Sequence, residues 1–222
     1  KSLYWAKRNA EQCEKDYGEE DEHTLATLQN LAVVYHYNGQ YRDALAINER
    51  VYELRCKVLR EEHPDTLRAL GNLAYEYGEL GEHQKALELN EKVYEQCCKV
   101  LGEEHPDALT SLVNLAGEYG KQGEYQKALE LNEKAYEQCC KVLREKYPDT
   151  LRTLGNLAYG YGELGEHQKA LELNEKVYEQ RCKVLGEEHP DTLTSLNNLA
   201  GEYSKLGEHQ KALELNEKVY EQ

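Results

Sequence analysis

A unit of 42 residues recurs through the chain, and it limits the fold more than any other feature of the sequence. Residues 63–104 and 147–188 differ only at Tyr147, Thr153, Gly160 and Arg181. Sister copies begin at His105 and His189, and a more diverged one begins near Asp21. Repetition at a fixed period marks an array in which each unit cannot bury its apolar face alone and must pack on its neighbours. The expected core is therefore a ribbon running from unit to unit.

Within one unit the apolar residues Leu67, Leu70, Leu73, Ala74, Tyr77 and Leu80 fall at the spacing of a single helical stripe, here helix A. Pro64 suits the first helical position, Asp65 favours the positive end of the helix dipole, and Gly81 is a helix stop. The run from about His83 to Leu101 is helix B, apolar over a broad arc that can meet both its own helix A and the next one. The chain divides as a single array, 1–222: a half repeat at 1–20 holding helix B only, full repeats at 21–62, 63–104, 105–146 and 147–188, and a truncated repeat at 189–222. Because both ends cut through repeats without a polar capping helix, a piece of a longer chain with adhesive ends is expected. Trp5 falls in register with Leu89, so a core position is expected for it.

The pattern Leu70-x-x-Leu73-Ala74-x-x-Tyr77 followed by Ala86 resembles the helix-pair signature of the tetratricopeptide family, over essentially the whole chain. The long unit, with Asn-Leu-Ala in helix A and His-Pro-Asp at the junction, is similar to the kinesin light chain and nephrocystin-type branch, and to repeat tails of some large nucleotide-binding signalling proteins. The resemblance implies an all-α, right-handed superhelical solenoid of antiparallel helix pairs. One departure from the family pattern is regular: Asn48, Asn90, Asn132, Asn174 and Asn216 stand where a bulky residue is usual. A buried amide without a partner costs about 1–3 kcal/mol, so each is expected to bond a helix A tyrosine hydroxyl or a backbone group.

Composition narrows the function. A net charge of −15 lacks the basic footprint of nucleic-acid binders and favours a basic or neutral protein or peptide partner. No apolar run approaches a membrane span. The seven cysteines recur at one stretch of helix B rather than at a metal-ligand spacing, and read as reduced core thiols of a cytoplasmic protein. No catalytic, cofactor or metal constellation is evident. Nearly every polar residue returns once per unit, Tyr147 replaces one of the junction histidines and Tyr125 one of the histidines that open helix B, and the four serines have no nucleophile context.

The informative positions are those where near-identical units differ, and they gather on helix A: Arg68, Thr110, Arg152, Thr194; Gly71, Val113, Gly155, Asn197; Tyr75, Gly117, Tyr159, Gly201; and Glu79, Lys121, Glu163, Lys205. Residues three or four apart share a helix face. By resemblance these face the concave groove, beside an unvarying ladder of Asn30, Asn72, Asn114, Asn156 and Asn198 that in related arrays bonds the backbone of an extended peptide. The differences alternate, so the true period is 84 residues, which duplication of a two-unit block also produces. The expected function is a scaffold that binds an extended peptide or partner helix. The alternatives are a spacer or self-assembling rod that stacks through its ends, and a sensor tail of a nucleotide-binding signalling protein.

Overall fold

The structure, a computed structural model, describes residues 2–143 and 148–220. Among them are eleven helices and no strand: α1 (Ser2–Tyr17), α2 (Glu22–Tyr37), α3 (Tyr41–Leu59), α4 (Pro64–Glu79), α5 (His83–Leu101), α6 (Pro106–Lys121), α7 (Tyr125–Leu143), α8 (Pro148–Glu163), α9 (His167–Leu185), α10 (Pro190–Lys205) and α11 (His209–Tyr220). The even-numbered helices from α2 onward are the A helices, and the odd-numbered ones are B helices. Two compact units are present, residues 1–118 and 119–222.

The helix ends follow from their residues. The Nδ1 atoms of His63, His105 and His189 accept the N–H groups of Asp65, Asp107 and Asp191 at 3.2, 3.1 and 3.2 Å. Each therefore satisfies one orphan donor of the helix start, and a ring that accepts at Nδ1 carries its proton on Nε2. Tyr147, the exception in this series, lies outside the described residues. Three B helices end on a glycine with positive φ, Gly18 (φ 92°) after α1, Gly102 (φ 94°) after α5 and Gly186 (φ 93°) after α9. After α3 the same place is held by Arg60, with φ 76° and ψ 161°. That region is essentially restricted to glycine, and strain there costs on the order of 1–3 kcal/mol. Arg60→Gly is expected to stabilise the chain by about 1 kcal/mol, read as a higher urea midpoint with an unchanged slope.

Inside residues 1–118 the predicted stripe of helix A is buried: Leu67, Leu70 and Leu73 of α4 pack with Val93 and Cys97 of α5 and Ala108 of α6. Helix α5 thus lies between its own A helix and the next, which is what its broad apolar arc is for. The second unit repeats the motif, with Leu154 and Leu157 of α8 against Leu129 of α7 and Val177 of α9. Cys97 and Cys139 are buried and the other five thiols are half-buried. Burial pushes the Cys97 thiol up to about 11, so it stays protonated and unreactive at neutral pH.

Two expectations fail here. Trp5 is 60 % exposed, because α1 packs through Leu3, Ala6 and Ala10 and Trp5 lies off that stripe, edge-on to Tyr4 with the Arg8 guanidinium over its ring. The helix B asparagines Asn48, Asn90, Asn132 and Asn174 are buried, yet the tyrosine hydroxyls do not reach them. Tyr77, Tyr161 and Tyr203 instead donate to Glu49, Glu133 and Glu175, one residue further along, at 3.0, 2.9 and 2.8 Å. A charged acceptor makes the stronger bond, and Oδ1 of Asn90 and Asn132 is left buried without a partner. Asn216 of α11 is exposed.

Candidate peptide-binding face

The A helices present the sequence-predicted site. Asn72 and Asn114 of α4 and α6 are half-buried, as is Asn156 of α8, while Asn30 of α2 and Asn198 of α10 are exposed. None of the five amides makes a side-chain hydrogen bond among the described residues. They contrast with Asn90, Asn132 and Asn174 of the B helices, which are buried inside the repeats.

In residues 1–118 the face contains a cavity of about 390 Å³. It brings together Arg68, Asn72, Tyr75 and Asn114 of the expected set, and adds Val33, His36 and Tyr37 of α2 with Asn48 of α3 below them. Tyr37 is 83 % and Tyr75 47 % exposed. The His36 ring lies 5.1 Å from the Tyr75 ring and 5.6 Å from that of Tyr37, so the three form one aromatic wall. Arg68 bridges Asp65 at 2.9 Å and Asp107 at 3.5 Å. Among the others, Glu79 is half-buried and Lys121, Tyr159 and Glu163 are exposed; Arg152 is half-buried, and Lys205 pairs with Glu202 at 3.0 Å. Val113 is a correction: it is buried rather than open on the face.

The sequence reading missed a second set of polar residues. Glu76, Glu118 and Glu202 are buried on the A helices, each facing a histidine of the preceding repeat. His36 stands 3.3 Å from Glu76, His83 3.4 Å from Glu118 and His167 3.0 Å from Glu202. Burial pushes the Glu76 carboxyl up, and the bond from His36 works against that shift. Glycine makes the seat: a Cβ on Gly78 would lie 2.6 Å from Oε1 of Glu118, and one on Gly162 would lie 2.9 Å from Oε1 of Glu202. In the second unit the pair is replaced at both ends at once. Tyr125 stands in the histidine place and packs edge-on to Tyr159, while Gly160 stands in the glutamate place, with Leu129 filling the space. The joint change was visible in the sequence as a histidine and a glutamate lost 35 residues apart.

The array of helix pairs and its repeated face invite comparison with known proteins. The tetratricopeptide repeat profile matches residues 24–65, 65–141, 107–183 and 149–222. The chain belongs to the tetratricopeptide repeat family. Repeat proteins of this family mediate protein–protein interactions. Among solved structures, a kinesin light chain-like protein of Podosopora anserina with nearly identical TPR-like repeats is 38 % identical, with a TM-score of 0.74 over 88 % of this chain and 92 % of that one. BtubC (BKLC) of P. vanneervenii shares the fold at 21 % identity and a TM-score of 0.79, over 99 % and 89 %. The apo form of RapI does so at 20 % and 0.70, over 100 % and 91 %. No curated protein matches the chain. No described helix is long and apolar enough to cross a membrane, and among the described residues no cluster of three or more His, Cys, Asp or Glu is placed to hold a metal ion.

Proposed function

We propose that this tetratricopeptide repeat chain is a protein-interaction scaffold whose A-helix face clamps an extended peptide or a partner helix, acting by binding and not by reaction. One observation carries the reading: an asparagine amide stands in every repeat on that face, accessible and without an internal partner, at a 42-residue interval. A carboxamide offers a donor and an acceptor together, which is what a peptide backbone requires of a groove that binds by main-chain contacts. Tyr75 and Tyr159 supply stacking surfaces, and the rows of Arg68, Arg152, Glu79, Lys121, Glu163 and Lys205 select charge. The net charge of −15 favours a basic or neutral partner, and the seven free thiols fit a reducing, cytoplasmic setting.

A displayed-peptide screen on the chain and on a variant with Asn72, Asn114 and Asn156 replaced by Ala tests this. Peptides enriched on the parent should lose about tenfold or more in affinity on the variant, with an unchanged circular dichroism spectrum. Equal binding to both would remove the clamp. A second reading, end-to-end stacking, draws on Leu213, which is 52 % exposed although its equivalents Leu87, Leu129 and Leu171 are buried. Concentration-dependent growth in sedimentation, abolished by Leu213→Glu, would favour it.

A further inference from the structure

We propose that the cavity between α2, α4 and α6 in residues 1–118 is a socket for an arginine side chain of the bound segment, a deepening that rests on the clamp reading above. The wall and floor have different chemistry, and an arginine matches both. Tyr37 and Tyr75 offer exposed ring faces on the wall, and a planar guanidinium stacks on such faces through both its charge and its plane. Leu67 and Val93 give an apolar lining that suits the methylene stem.

The polar groups favour a donor. Asn48 lines the cavity at 4 % exposure and makes no side-chain hydrogen bond among the described residues. A wholly apolar side chain seated there would leave that amide unpaired, whereas a guanidinium has five N–H groups to offer its oxygen. The charges at the mouth point the same way. Asp107 and Glu76 line the cavity with one arginine, Arg68, which also bridges Asp65 beyond the lining, and with His36, already engaged with Glu76; the His63 and His105 rings lie further off, 3.7 Å from Asp65 and 4.0 Å from Asp107. Arg68 is shared between two aspartates, so carboxylates remain in excess. A ligand carboxylate would meet that excess in a chain that already carries −15. The cavity volume of about 390 Å³ is near the lower end of ligand pockets, suited to one long side chain entering from an extended backbone.

The test uses the whole 222-residue chain and acetylated, amidated octapeptides of glycine, serine and alanine with one central residue: Arg, Lys, Gln, Trp or Asp. By titration calorimetry the arginine peptide should bind tightest, with lysine several-fold weaker and glutamine and aspartate weaker by about tenfold or more. Tyr37→Ala changes a side chain that lies almost wholly in solvent, so the fold is retained, and it should erase the difference between arginine and glutamine. The pair Asn72→Ala and Asn114→Ala should weaken all five peptides alike. The socket is wrong if tryptophan or aspartate equals arginine, if Tyr37→Ala leaves the arginine preference intact, or if no peptide binds at millimolar concentration. The two readings fail separately. Peptides that bind without arginine preference but are weakened by the asparagine changes overturn the socket and keep the clamp. An arginine preference that ignores the asparagine changes keeps the socket and overturns the clamp.

Discussion

Gly160→Glu is expected to destabilise residues 119–222 by about 3 kcal/mol, because it buries a carboxylate where Tyr125, not histidine, faces it. Space alone does not forbid the change. A Cβ at Gly160 would lie 3.3 Å from Cδ1 of Leu129, a contact that a small shift of a leucine end can relieve. At the second junction the equivalent leucine, Leu87, is buried in the same repeat as His83, beside the buried Glu118. The cost is therefore electrostatic in the main, and Tyr125→His in the same chain should recover a large part of it. The double-mutant cycle reads the coupling directly, from urea midpoints of the wild type, both single variants and the double. A coupling energy near zero would show that the histidine does not support the carboxylate.

The second large effect is a cavity. Leu70→Ala removes a side chain that is 2 % exposed and sits between α4, α5 and their neighbours, and is expected to cost about 2–5 kcal/mol. Leu213→Ala is the matched control: the same residue type, 52 % exposed, expected to cost less than about 1 kcal/mol. Arrays can open in parts, so hydrogen exchange should accompany the urea curves. Faster exchange confined to α4 and α5 and their contacts would identify the nearest-neighbour character of the core. Uniform acceleration through all helices would argue for one cooperative unit.

Much of this molecule was legible because periodicity is a physical constraint that can be counted. The stripe Leu67, Leu70, Leu73 named the buried face of α4, and the breadth of apolar positions in α5 named its two-sided packing. The junction motif placed the helix starts, and the histidine role there is a capping one. Misjudged positions share a cause, which is that burial depends on what lies across the interface. Trp5 matched Leu89 by register, but which face of α1 meets α2 is set by Leu3, Ala6 and Ala10. Asn48 and Asn132 were expected to bond a tyrosine or a backbone group, but the glutamate one residue further along, Glu49 or Glu133, offered the tyrosine a charged acceptor. The His–Glu pairs escaped notice because glutamate reads as surface in any pattern analysis. For Glu118 and Glu202 the glycine that makes room, Gly78 or Gly162, accompanies the buried one, whereas opposite Glu76 the equivalent place holds His36 itself. On the candidate face the ladder of asparagines could be placed from spacing, whereas the cavity could not, because Asn48 and His36 come from different helices.

The matched exchange of His–Glu for Tyr–Gly also restricts how such a chain can change its length. Removing residues 105–146 would bring His83 against Gly160, a histidine without its acid. Removing residues 147–188 would bring Tyr125 against Glu202, a buried carboxylate without its histidine. Losing both together joins His83 to Glu202, and the pairing is restored. For the copies at 105–146 and 147–188 the 84-residue block, rather than the single helix pair, is thus the unit whose removal keeps each histidine with its acid.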